Sequence, residues 1–169
     1  MTEEAYRYVV RTGGCQCGAI RFHAEQLRDN PHVCYCRMCQ KAAGNLFTAL
    51  VGVRHEHLSW TRGTPSEFLS SDKAARGFCP DCGTSLYFRG LSSPHVSMSI
   101  GAFDEPSSIP LLYQFGLEGK HPGLFHLDAI EEVGTTEEAD PEGTIVIRAS
   151  NHQHPDHDTD HWPDPVRLA

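Results

Sequence analysis

Short runs of alternating apolar and polar residues fill most of this chain, and glycine and proline separate them. Residues 19–24 (Ala-Ile-Arg-Phe-His-Ala) have the two-residue period of a half-buried strand. Residues 6–11 predict a strand leading into the Gly13-Gly14 turn, and residues 31–36 predict another extended stretch. Residues 46–53 are apolar enough for a central strand. Short strands are then expected at 58–60, 66–69, 76–79, 85–88 and 96–100, punctuated by Gly63, Pro65, Gly83, Gly90 and Pro94. The one clear helical segment is short, residues 37–43, stopped by Gly44-Asn45. This rhythm predicts a mainly β protein of antiparallel sheets with one short helix. After Phe103 the pattern weakens: 109–115 and 144–147 read as strands, 131–142 as a solvated acidic loop. Residues 151–165, rich in His, Asp and Pro, have little to bury and read as an irregular acidic C-terminal tail.

With 169 residues the chain fits a single domain, 1–169, and can bury a core without disulfides. It shows no repeat and no linker, and residues 120–169 form a C-terminal extension. Fifteen Gly and eleven Pro agree with many turns. The net charge of −8 is concentrated at one end: residues 1–120 are near neutral, and residues 121–169 hold eleven Asp/Glu against two Lys/Arg. Without a basic surplus, nucleic acid is not an expected partner. No apolar run approaches the roughly 20 residues that span a bilayer. Met1-Thr2-Glu3-Glu4 places acids where a signal peptide has bases. The expectation is a soluble, cytoplasmic protein with no membrane partner.

In such a compartment seven cysteines do not persist as disulfides, and an odd number cannot all pair. They fall in three groups. Cys15 and Cys17 share one face of an extended chain, their Cα atoms about 6.6 Å apart, so that both sulfurs can converge on one tetrahedral ion. Cys79-Pro80-Asp81-Cys82-Gly83 reads as a zinc knuckle, in which the glycine turn aims amides at the sulfurs. Cys34, Cys36 and Cys39 pack three thiols into six residues, the last two at a helix start. A redox Cys-x-x-Cys requires a βαβ context that this chain does not offer. Zinc is therefore the expected cofactor. Spacing allows one ion between Cys36/Cys39 and Cys79/Cys82, as in a zinc ribbon. It also allows a closed site of four plus an open site of three, for which Cys34, Cys36 and Cys39 make the better trio. Three protein ligands leave a coordination position for water or a substrate thiol.

Gly13-Gly-Cys-Gln-Cys-Gly18, Cys34-Tyr-Cys-Arg-Met-Cys39 with Gly44, Ser70-Ser71, Arg76-Gly-Phe-Cys-Pro-Asp-Cys-Gly83 and Ile100-Gly-Ala-Phe-Asp104 together resemble the glutathione-dependent formaldehyde-activating, or centromere-protein-V, family. The resemblance covers a core of residues 13–104. It implies a β-tent built around a structural zinc on Cys15, Cys17, Cys79 and Cys82. It also implies a second, catalytic zinc on Cys34, Cys36 and Cys39, hence two zinc ions per chain. The implied activity is that of a carbon–sulfur lyase, an S-(hydroxymethyl)glutathione synthase-like enzyme that condenses or cleaves an adduct of glutathione and a small aldehyde such as formaldehyde. Tyr35 departs from the family, where His is common between the first two thiols. Two alternatives stand beside this reading: a non-catalytic, zinc-stabilised binding module, and an open-zinc enzyme using another thiol or electrophile.

Arg37 and Lys41 lie four apart on the predicted helix and share a face, which makes them candidates to bind substrate carboxylates; a solvated helix face is the plainer reading. Arg76 is expected in a structural ion pair or at the substrate. His152, His154, His157 and His161, with Asp156, Asp158 and Asp160, are expected to be solvated or to hold metal only adventitiously rather than to form a third metal site, with a docked tail that lines the pocket as the alternative. Phe47, Phe68, Phe78, Tyr87, Phe88 and Phe103 are expected in the core or its walls, and Met38 beneath the helix.

Overall fold

A computed structural model describes residues 6, 7 and 9–166. Most of the expected strands form, and they assemble into three sheets, but the stretch expected at 6–11 is split between β1 and β2, and Gly13-Gly14, expected as a turn, pairs within β2. The strands are β1 Tyr6–Arg7, β2 Arg11–Gly14, β3 Arg21–Ala24, β4 Leu27–Arg28, β5 His32–Cys34, β6 Thr48–Arg54, β7 Leu58–Arg62, β8 Ser66–Ser71, β9 Ala74–Phe78, β10 Ser85–Gly90, β11 His95–Ser99 and β12 Tyr113–Phe115. Helix α1, Arg37–Ala43, follows β5 and ends at Gly44, whose left-handed backbone donates its N–H to the carbonyl of Gln40.

The largest sheet has the order β12-β5-β6-β11-β10-β9-β8, and a smaller one has the order β2-β3-β7. Strands β1 and β4 form a two-stranded ribbon. Strand β6 is buried over most of its length, as its apolar composition predicted, because it lies inside the seven-stranded sheet. Phe22 on β3 is fully buried, and its ring meets Trp60 at 5.9 Å and Phe103 at 5.1 Å, both edge to face; Trp60 in turn meets Tyr87 of β10 at 5.7 Å, which joins the two larger sheets. Val51, Val53, Leu86, Val96 and Met98 complete the core from the large sheet. Tyr87 and Phe103 belong to it as expected, whereas Phe68 is exposed because β8 is an edge strand.

The C-terminal third departs from the expected pattern in three places. Residues 144–147 are helical, not extended: they lie in α3, Pro141–Ser150, and part of the expected acidic loop forms α2, Thr136–Ala139. Start signals outweigh the β-branched run. Thr135 and Glu138 make a reciprocal capping box, Asp140 accepts from the amide of Gly143, and Pro141 occupies the first turn. Within 109–115, only Tyr113–Phe115 pairs, and it does so parallel to β5 while the other strand pairs are antiparallel. No helix among the described residues is long and apolar enough to cross a membrane.

Candidate metal centres

The turn after β2 carries Cys15 and Cys17, and the turn after β9 carries Cys79 and Cys82. The four sulfurs lie within 4.8 Å of one another. Cys15 and Cys17 are 3.5 Å apart, and Cys17 and Cys79 are 3.8 Å apart. Sulfurs on a tetrahedral ion at about 2.3 Å sit about 3.8 Å from each other, so the spacing fits such an ion. Local hydrogen bonds hold the donors in place. The amide of Ile20 donates to Cys15 Sγ at 3.2 Å, and Cys79 receives the amide of Gly83 on its carbonyl. Cys15, Cys17 and Cys79 are buried. Burial pushes the Cys79 thiol up to about 12 and raises Cys17 as well. Burial also opposes ionisation of Cys82, but the hydroxyl and amide of Thr84 and the amide of Cys17 outweigh it and bring this thiol down to about 6.

Tail residues cover this cluster. His154 is buried, donates its amide to the carbonyl of Gln16 at 2.7 Å, and packs edge to face on Trp162. Trp162 Nε1 donates to the carbonyl of Cys17 at 2.8 Å. The Gly18 backbone is left-handed, and a Cβ there would strike both His154 and Trp162, so this turn admits only glycine. Arg62 donates to the carbonyl and hydroxyl of Thr159. Arg21, also buried, holds Asp104 with two N–H groups at 2.7 and 2.6 Å and reaches Asp158 of the tail. His154, Thr159 and Trp162 therefore dock part of the tail, which corrects the expectation for His154, while His152, His157 and His161 are exposed as expected. Backbone hydrogen bonds and the buried Arg21 supply the rigid anchors that were not apparent in the sequence.

A second group forms at the end of β5 and the start of α1. The sulfurs of Cys34, Cys36 and Cys39 also lie within 4.8 Å of one another. Burial pushes the Cys34 thiol up to about 12. For Cys36 burial acts in the same direction, but the amides of Cys39 and Met38 and the neighbouring thiols prevail and lower it. The segment after β12 braces the loop: Tyr35 donates its amide to the carbonyl of Phe115 at 2.9 Å, and Gln40 Nε2 donates to the carbonyl of Gly119 at 2.8 Å. The seven thiols thus come together as a four and a three, two groups that could each hold a metal ion. The zinc-ribbon pairing of Cys36 and Cys39 with Cys79 and Cys82 is not formed.

The three-thiol group borders a cavity of 460 Å³ over one face of the large sheet. Its floor runs across paired strands: Arg76 on β9 lies opposite Phe88 on β10, and Phe88 opposite Ser97 on β11. Leu50, Phe115 and Met38 add apolar wall. Met38 is therefore half exposed at the cavity rather than packed beneath the helix. The two cations considered for substrate binding lie elsewhere. Arg37 and Lys41 are exposed, Arg37 reaches Gln40 on its own helix, and neither lines the cavity. Arg76 is the cation that does. It forms no ion pair among the described residues and donates instead from Nη2 to Cys39 Sγ at 3.5 Å. Of the two expectations for Arg76, the ion pair is not formed among the described residues, and the strand register turns its side chain to the thiols and the cavity.

The sequence profile of a family described as the glutathione-dependent formaldehyde-activating enzyme matches residues 10–115, a span that contains all seven cysteines. A Penicillium rubens protein provisionally named a glutathione-dependent formaldehyde-activating enzyme is 31% identical over 123 residues, which cover 64% of this chain and 63% of that protein. An uncharacterized lyase of Schizosaccharomyces pombe is 32% identical over 78 residues, covering 45% of this chain and 55% of the other. The chain therefore spans less than two thirds of the length of these relatives. A crystal structure of a Rhodobacter sphaeroides protein is 22% identical, with a TM-score of 0.47, over 54% of this chain and 85% of that one. By the family match over residues 10–115, the chain belongs to the glutathione-dependent formaldehyde-activating enzyme family.

Proposed function

We propose that this protein is a zinc-dependent carbon–sulfur lyase-type enzyme that joins glutathione to formaldehyde, or a similar small aldehyde, and cleaves the adduct. The observation that carries the reading is the contrast between the two thiol groups. Cys15, Cys17, Cys79 and Cys82 are four donors gathered beneath a docked tail, while Cys34, Cys36 and Cys39 are three donors at the edge of a cavity. Four thiolates fit a structural zinc, and three fit a zinc with a free position. Zinc at the three-thiol group would supply a Lewis acid that favours a thiolate at neutral pH.

The chain's own residues set the rest. Leu50, Phe88 and Phe115 make the walls apolar, which strengthens electrostatic interactions inside and limits competing water. Cys36 is already stabilised toward its thiolate by the amides of α1. In the condensation the thiol sulfur bonds to the carbonyl carbon, the carbon–oxygen π bond opens, and the thiol proton ends on that oxygen. Cleavage reverses each change.

The test is exchange spectroscopy by NMR on glutathione and formaldehyde. The zinc-loaded protein is predicted to exchange free and adduct-bound formaldehyde faster than the spontaneous reaction, and Cys36→Ser to return it to the spontaneous rate. Equal rates with and without wild-type protein would favour the non-catalytic binding module.

A further inference from the structure

The guanidinium of Arg76 has fewer partners than a buried cation ordinarily keeps. The residue is 9% exposed and enters from the middle of β9. One N–H reaches Cys39 Sγ, and the guanidinium carbon lies 5.1 Å from the centre of the Phe88 ring. A guanidinium has five N–H donors, and among the described residues no oxygen accepts from the others. None of its nitrogens is among the sealed, unpartnered polar atoms, so the free donors open on the cavity that Arg76 lines. Arginine cannot relieve burial by losing its proton, and a buried charge is stable only when paired. No other Lys or Arg lines this cavity, and no carboxylate does either. The unused N–H donors of Arg76 therefore offer a seat for the oxygens of one anion beside the thiols.

The shape of that anion follows from how the fork is held. Cys39 takes one N–H of Nη2 and the Phe88 ring flanks the guanidinium, which leaves one planar N–H pair to match a carboxylate with two parallel hydrogen bonds. The apolar walls raise the value of such a pair relative to water. We propose that Arg76 is the specificity-determining residue of this cavity, receiving a carboxylate of a thiol substrate whose sulfur lies among Cys34, Cys36 and Cys39. This rests on the reading above that the cavity accepts a thiol, and it moves the carboxylate contact from the exposed Arg37 and Lys41 to Arg76.

The experiment compares N-acetylcysteine with its neutral amide, on full-length wild type, Arg76→Gln and Arg76→Lys. Calorimetry on zinc-loaded protein gives affinities, and the charge-transfer band of cobalt-loaded protein reports contact of the sulfur with the metal. Wild type is predicted to prefer the acid over the amide by about tenfold. In Arg76→Gln that preference is predicted to vanish while amide binding and metal content stay as in wild type. Arg76→Lys keeps the charge without the fork, and it is predicted to weaken the acid about threefold with no change for the amide. If the glutamine variant does not fold, the lysine variant alone decides. A cobalt response with equal affinity for acid and amide in wild type would overturn the role of Arg76 and leave the thiol reading standing. No cobalt response, but an acid preference that Arg76→Gln abolishes, would sustain the carboxylate seat and overturn the thiol reading. An acid preference that survives in Arg76→Gln, or binding of neither compound, would overturn the proposal.

Discussion

Trp162 donates its indole N–H to the backbone carbonyl of Cys17 at 2.8 Å, joining the C-terminal tail to a turn 145 residues earlier. The bond sits beside the four-thiol group, and His154 and the indole, edge to face, both pack against Gly18. The tail therefore closes one side of a cluster built by residues far from it in sequence.

Removing that cover should loosen the metal without dissolving the fold. A chain ending at Ser150 is predicted to load the same number of ions and to surrender the one on the four-thiol group faster to a chelator. Trp162→Ala loses one hydrogen bond, worth about 1 kcal/mol, so its release should quicken roughly fivefold. The measurement is zinc transfer to a coloured chelator, and unchanged release from both variants would show that the tail has no protective role.

The buried pair of Arg21 and Asp104 predicts both a cost and a pH dependence. Burial opposes ionisation of Asp104, but the guanidinium of Arg21 and the hydroxyl of Thr12 outweigh it and hold the carboxyl below its usual range. A carboxylate with a depressed folded pKa adds stability above its unfolded value of about 3.9, and that stability is lost as pH falls through the folded value. Asp104→Asn leaves Arg21 with the half-exposed Asp158 alone and should cost about 3 kcal/mol at neutral pH. Urea unfolding should show this difference at pH 7 and should show it shrinking in strong acid.

Metal loading should release protons. Burial holds Cys17, Cys79 and Cys34 in the thiol form at neutral pH, and each must ionise to bind. Apparent affinity is therefore predicted to rise with pH between about 6 and 8. Cys82, brought down to about 6, contributes little of this release at neutral pH. Calorimetry in two buffers of different ionisation enthalpy counts the protons, and a pH-independent affinity would contradict the assignment of these thiols as ligands.

Gly116 offers a lever on the three-thiol loop alone. Its backbone is left-handed, and a Cβ there would stand 2.6 Å from the amide nitrogen of Cys36. Gly116→Ala is predicted to cost about 1–2 kcal/mol and to displace Cys36. It should weaken the second metal while sparing the first, as read by stepwise cobalt titration.

What could be read in the sequence was what lies close along the chain. Each cysteine group announces itself within a few residues, the strands follow from alternation, and α1 follows from its stop at Gly44. The pairing of Cys15 and Cys17 with Cys79 and Cys82 joins turns more than sixty residues apart, and it was the family resemblance that pointed to it. Arg76 and Phe88 become neighbours only through the register of β9 and β10, which spacing does not fix. Arg21 and Asp158 are 137 residues apart, so an acidic, proline-rich tail read locally as solvated although it docks. The β-branched run in α3 misled in the same way: no neighbouring strand was present to use it, and the caps at Thr135 and Asp140 decided.

The most direct test of two unequal metal centres is zinc per chain in freshly purified wild type, Cys36→Ser and Cys79→Ser. The account predicts two in wild type and one in Cys36→Ser with the fold intact, and it predicts unfolding of Cys79→Ser. One zinc in both wild type and Cys36→Ser, or unfolding of Cys36→Ser as severe as that of Cys79→Ser, would contradict it.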